Sequence, residues 1–343
     1  MSARTRWNLS GVSRGRPATF VVLITGALMS AWITGCNEPF DPRSPLDQQL
    51  VVYSILTNDR DVQFVRVNSN YMPSGFDPNA YNGDNSVRDA LVTISWSGGT
   101  LTLRDTVLAR PDTTRYDYPI YVYAIKPFTP ARGGAYQVFV QSRSLGTASG
   151  STVVPGVASI TLADASVPIL TDPLKFGKAA AVEYNVVFST SARAYTTQLY
   201  IYYDVLKGSR WMEERTEVPS SSSIWDTTYS LQWAQYPALV VCPDSRKATV
   251  DYANGFVKTI ITDIGSSQYP DTHVIFKWIV FVVVQTDQNL FGYYKNVRGY
   301  RDPQSIRLDQ PQYSKIDGGI GLVGAYTLDS LVFVLPEKFD GNQ

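Results

Sequence analysis

The run 274-VIFKWIVFVVV-284 constrains the fold more than any other stretch of the 343 residues. It is apolar and β-branched on both faces apart from Lys277, the pattern of a strand buried in the middle of a sheet. At 11 residues it is too short for a membrane helix, which needs ~20. It is also too long an unalternated run for a porin strand, in which lipid-facing and lumen-facing residues take turns. The chain must therefore supply neighbouring strands and apolar cover on each side.

Those strands are legible upstream. The runs 50-LVVYSI-55, 62-VQFVRVN-68, 90-ALVTISW-96 and 135-AYQVFVQ-141 are β-branched or aromatic and bounded by Asn, Asp, Gly or Pro. Ser97-Gly98-Gly99-Thr100 marks a tight hairpin. About seven strands over residues 50–155 predict an immunoglobulin-like or prealbumin-like β-sandwich. The Ser-, Gly- and Thr-rich 144-SLGTASGSTVVPG-156 marks its end. Residues 156–336 read as a second, larger β-sandwich domain. There 182-VEYNVVF-188 alternates, and 198-QLYIYYDV-205 with 211-WMEERTEV-218 forms a long hairpin about Lys207-Gly208-Ser209. One helix is expected in 249-TVDYANGFVKTIITDI-264. Val250, Ala253, Val257, Ile260, Ile261 and Ile264 recur there at helical steps, and Gly265 stops the pattern. Residues 337–343 read as a tail. The fold class is mainly β, with two sandwich domains.

The amino terminus has a different character. Arg4, Arg6, Arg14 and Arg16 precede a short apolar stretch, 18-ATFVVLITGALMSAWI-33, and no acid occurs before Cys36. The stretch closes on Ile33-Thr34-Gly35-Cys36, which resembles the bacterial lipobox, where diacylglycerol is attached to the thiol and the leader is cut just before it. Residues 1–35 are thus expected to be a lipoprotein signal peptide and Cys36 the lipid attachment site. Residues 36–49, with Pro39, Pro42 and Pro45, read as a tether. Asn37 after the Cys points to outer-membrane sorting. After Cys36 the chain carries 26 basic and 30 acidic residues, net −4. A mildly acidic body has no attraction for phosphate backbones, so no nucleic-acid partner is expected. Cys242, ending 238-ALVVC-242, has no partner left for a disulfide and reads as a buried, inert thiol.

Near the other end, Gly319-Ile320-Gly321-Leu322-Val323-Gly324 spells G-x-G-x-x-G. A dinucleotide loop must follow a buried strand and open a helix. Here a polar segment, 309-DQPQYSKIDG-318, precedes the glycines, and a strand pattern, 328-LDSLVFVL-335, follows them. The glycines are read instead as allowing close backbone approach or positive φ before the final strand.

The same residues carry a resemblance. Tyr313-Ser314-Lys315-Ile316-Asp317-Gly318-Gly319-Ile320-Gly321-Leu322-Val323-Gly324-Ala325 is similar to the closing signature of a large family of uncharacterised bacterial lipoproteins, a domain of unknown function. That signature reads S-N-I-x-G-G-x-G-x-F-G-A, so Lys315 and Val323 depart from it. The strands 50-LVVYSILT-57, 89-DALVTIS-95 and 134-GAYQVFV-140 also resemble the family's pattern. The resemblance implies β-sandwich architecture, an outer-membrane address and genes beside TonB-dependent receptors. It implies no established activity and supplies no catalytic residues.

Chemistry-bearing constellations are sparse. His273 is the sole histidine, and 77-DPNAYNGD-84 lacks the third oxygen ligand and closing Glu of a calcium loop. Neither a metal nor a cofactor is expected. Glu213, Glu214 and Glu217, beside Arg210 and Arg215, read as paired surface charges rather than a glycosidase dyad. In 221-SSSIWDTTYSLQWAQYP-237, Trp225, Tyr229, Trp233 and Tyr236 fall at steps of four, four and three, with Trp211 nearby. These five residues are candidates for an aromatic platform that stacks a glycan or peptide; the alternative is that the rings fill the gap between sheet and helix. The tyrosines of 116-YDYPIYVY-123 are ambiguous in the same way. The expected function is non-enzymatic: a lipid-anchored outer-membrane protein that binds or scaffolds, accessory to a TonB-dependent uptake complex. An adhesion or envelope-structural module is the alternative, and a polysaccharide hydrolase would need two carboxylates facing a cleft.

Overall fold

The apolar run at 274–284 lies in a strand with hydrogen-bonded neighbours on both sides. The computed structural model describes residues 46–72, 81–111, 113–114, 116–164, 166, 181–222, 229, 231–266, 274–300 and 313–335. The signal peptide, Cys36, most of the tether, Asp77, Asn79, Trp225, His273 and the tail at 337–343 fall outside them. No described helix is long and apolar enough to cross a membrane.

The chain is mainly β. The first half supplies β1 Leu50–Thr57, β2 Gln63–Ser69, β3 Leu91–Trp96, β4 Gly99–Thr102, β5 Arg104–Leu108, β6 Ile120–Ile125, β7 Ala135–Ser142 and β8 Gly146–Val153. The second supplies β9 Ser159–Leu162, β10 Ala181–Val187, β11 Ala194–Lys207, β12 Arg210–Val218, β13 Ser221–Ser222, β14 Ala234–Gln235, β15 Val240–Val241, β16 Lys247–Ala253, β17 Val274–Thr286 and β18 Gly319–Val334. Among the described residues two α-helices interrupt the strands, α1 Asn254–Ser266 and α2 Gln288–Tyr300.

A nine-stranded sheet runs through both halves in the order β12-β11-β17-β18-β1-β2-β6-β5, with β15 beside β11. Its hinge is β18. Gly319 to Tyr326 pair in parallel with β1, and Tyr326 to Val334 pair antiparallel with β17. Side chains alternate along a strand, so Val323, Ala325, Leu331 and Phe333 share one face. Val323 and Ala325 belong to a first apolar core with Leu50, Val52, Ile94 and Val138. Leu331 and Phe333 pack on a second, built from Tyr184, Leu199, Ile201, Phe281 and the apolar face of α1. A smaller sheet, β4-β3-β7-β8, closes the first core; β16-β10-β9 and α1 close the second. From Asp47 onward the described residues belong to one compact unit. Near residue 155 the chain passes from one core to the other, Val154 belonging to the first and Ala158 to the second.

The seam between the cores is polar. Thr327, which lies between the two pairs of apolar residues on β18, is fully buried. Beside it, Gln285 accepts from the Ser189 amide at 2.8 Å and donates to the Gly156 carbonyl at 2.9 Å. The Thr327 hydroxyl has no hydrogen-bond partner among the described residues, so it is the satisfied Gln285 amide that holds register, because a slip would leave it unpaired at a cost of ~1–3 kcal/mol.

The glycine-rich segment lies inside β18 and opens no helix. Gly321 takes φ 124°, and a Cβ there would collide with the Val52 carbonyl. A Cβ on Gly319 would stand 2.6 Å from the Leu50 carbonyl oxygen. The glycines let the last strand settle against the first.

Two helical details differ from expectation. Residues 249–253 belong to β16, where Val250 pairs with Tyr184 and Tyr252 with Val182. The helix starts only at Asn254, because β10 satisfies the preceding backbone as a ladder. The second helix, α2, was not expected at all. Asp287 caps it, its Oδ1 accepting from the Leu290 amide at 2.8 Å. Both hairpins form as read, Trp96 opposite Gly99 and Lys207 opposite Arg210.

Candidate ligand cleft

The face of the long sheet that points away from both cores carries a cleft of about 420 Å³. Its floor is Thr196 and Gln198 of β11 with Val284 and Thr286 of β17. These side chains share a face because Thr196 lies opposite Val284 in the ladder. Pro237 and Leu239, just before β15, form one wall. Leu290 and Tyr294, one turn apart on α2, form the other, and Tyr326 of β18 closes the end beside Thr286.

The polar groups differ in their commitments. Thr196 donates its hydroxyl to the Pro237 carbonyl at 3.2 Å, which fixes the wall to the floor. Thr286 donates to the Ala194 carbonyl at 3.4 Å. The Tyr326 hydroxyl donates to Asp59 at 3.0 Å and accepts from Arg60 at 3.1 Å. Tyr294 is 42% exposed, its ring standing edge-on to Tyr293 at 5.8 Å. Among the described residues no Asp, Glu, Lys or Arg lines the cleft.

Asp287 lies beneath α2. It is buried, and it accepts from Thr152 at 2.6 Å and from the amides of Leu290 and Ala325. Burial pushes its carboxyl above the usual range, against the pull of those donors. The contacts tie α2 to β8 and β18, so the helical wall is anchored to the body.

Residues 37–331 match the family described as Domain of unknown function (DUF4249). The chain belongs to that family. The match runs through both cores of this DUF4249 protein and includes the glycine-rich start of β18. No curated protein matches it.

The five aromatic candidates do not all gather at the cleft. Tyr236 is 53% exposed and adjoins Pro237 in the wall. Trp211 is exposed on β12 opposite Leu206, eight positions along β11 from Gln198, or roughly 26 Å of strand. Tyr229 packs edge-on against Phe256 of α1, with ring centroids 5.2 Å apart. Trp233 ends a short 3-10 turn, Leu231–Trp233, and its side chain, like all of Trp225, lies outside the described residues. In the 116–123 run, Tyr123 is core, donating to the Val87 carbonyl at 2.9 Å, and Arg88 lies 3.3 Å over the Tyr121 ring.

The charged residues of β12 find partners on β11 and β17. Glu213 pairs with Lys277 at 2.8 Å and Glu214 with Lys207 at 2.6 Å. Arg215 donates to the Tyr202 hydroxyl at 3.1 Å. Burial raises the Glu217 carboxyl, beside the Tyr200 hydroxyl. Lys277, the one charge in the apolar run, sits at a register shift of β17 against β11. Cys242 is buried, and desolvation pushes its thiol up. Among the described residues no group of three or more His, Cys, Asp or Glu could hold a metal.

Proposed function

We propose that this DUF4249 protein is a lipid-anchored binding module of the bacterial outer membrane, accessory to a TonB-dependent uptake receptor. Its role is capture and presentation of a ligand rather than catalysis. The cleft carries this reading. It lies on the open face of a rigid sheet, in the size range of small-molecule sites, ~300–1,000 Å³. The arginines, apolar stretch and Cys36 of the leader support the anchor, which would hold the module through a proline-rich tether. The adhesion alternative has no comparable support from a concave site.

Purification from membranes with mild cross-linking tests both parts. The expected product begins at a diacylglyceryl-modified Cys36 and brings a TonB-dependent receptor with it, and Cys36→Ser releases it from the membrane. An uncut leader, or an envelope pull-down without a receptor, overturns the reading.

A further inference from the structure

We propose that the cleft binds an uncharged oligosaccharide, an inference that rests on the binding role above and names its ligand class. Among the described residues the lining has no ionisable group other than tyrosine, so a carboxylate, sulfate or ammonium buried there would lose its water without gaining an opposite charge. The ligand is therefore neutral. Its surface must also be mixed. Leu239, Val284 and Leu290 offer apolar contact, whereas the Gln198 amide makes no hydrogen bond among the described residues and can both donate and accept. The Thr196 and Thr286 hydroxyls donate to backbone carbonyls and keep lone pairs for an incoming donor. A sugar ring combines these demands, with an apolar C–H face for Tyr294 and a rim of hydroxyls for Gln198 and the threonines.

A peptide fits less well. Extended peptides bind by adding a strand to a free sheet edge. Along the floor β17 is paired on both sides, and β11 lacks a second strand neighbour only at Thr196–Gln198, between the β15 and β12 ladders, a stretch of three residues too short to seat an added strand. A neutral peptide lying there would leave its amides unpaired.

The test is titration calorimetry on the full-length protein in detergent. The panel is neutral oligosaccharides of α- and β-linked glucose, xylose and mannose, with polygalacturonate, heparin fragments and a neutral peptide library as comparisons. Saturable binding of a neutral saccharide is expected. It should weaken at least about tenfold in Gln198→Ala and again in Tyr294→Ala, the size of one lost hydrogen bond or stacking contact. Val107→Ala, on the exposed strand β5, should bind as the wild type does, and all three should melt within a few degrees of it. Binding of none of the neutral saccharides at millimolar concentration overturns the proposal. So does preference for the acidic polymers or peptides, or binding indifferent to both cleft variants. The Cys36→Ser chain separates the two ideas: it should lose its membrane address and keep its saccharide.

Discussion

Arg132 donates from one guanidinium nitrogen to the carboxylate of Asp329, 197 residues further along the chain, and from another to the Leu328 carbonyl at 3.0 Å. The second oxygen of Asp329 accepts from the Ala158 amide at 2.9 Å. One carboxylate thus joins the segment before β7, the last strand and the lead into β9. Removing one member of a buried pair costs ~3–5 kcal/mol, and exposed pairs give ~0.2–1. With the Asp329 side chain 11% exposed and that of Arg132 27%, Asp329→Ala should lose about 2–4 kcal/mol in a urea titration. Arg132→Ala should lose less, because the Ala158 contact survives. Equal, near-zero losses would mean that the seam does not depend on this pair.

Gly321 and Gly208 both take positive φ, 124° and 66°, but in different surroundings. A Cβ on Gly208 meets nothing within 4 Å, whereas one on Gly321 meets the Val52 carbonyl. Gly208→Ala should therefore cost ~1 kcal/mol, the strain of the left-handed region alone. Gly321→Ala should cost more than ~3 kcal/mol or prevent folding, because the first and last strands must part. Thermal melts of the two variants side by side check this, and similar losses would contradict it.

Asp287 should leave a signature in the pH dependence of stability. Its folded carboxyl is raised above the unfolded value of ~3.9, so the folded chain holds the proton more firmly. The contribution is fully present below about pH 4 and declines as pH rises toward the folded value. Asp287→Asn keeps an acceptor for the Leu290 and Ala325 amides and does not titrate. The stability difference, wild type minus Asp287→Asn, should therefore fall as pH rises from about 4. A difference that grows with pH would show instead that the capping amides hold the charge more strongly than burial opposes it.

Tyr229 tests whether the aromatic segment before β15 packs or binds. Its ring meets the almost fully buried Phe256 edge-on and lies against Gly255. Tyr229→Ala should destabilise the protein by about 1–2 kcal/mol, from lost packing and one aromatic pair. Unchanged stability would leave the ring free for a ligand.

The strands were readable because their signal is local. The two-faced run at 274–284 needed a strand on each side, and β17 has both; its second face is only partly covered, with Ile275 50% exposed and Val284 in the cleft. The Ser97–Gly98 and Gly208–Ser209 turns fixed their hairpins by residue type. The helix boundary failed because Val250 and Ala253 fit a helical step by chance, while pairing with β10 decided the conformation of 249–253. α2 had a usable signal in the capping Asp287 and in Leu290 and Tyr294 four apart. The polar or amphipathic Asn289, Tyr293 and Asn296, all half-buried, made that pattern faint. The cleft was not legible at all. Its floor, walls and end come from β11, the segment before β15, β17, α2 and β18, and only tertiary pairing brings Gln198, Leu239, Tyr294 and Tyr326 together.

The strand that completes both cores comes after every other described strand in the sequence. Until β18 arrives, the first half lacks Val323 and Ala325, and the second lacks the hydrogen-bonding partner of its central strand. Neither half reaches its native packing alone, so the two cores are coupled through one shared strand.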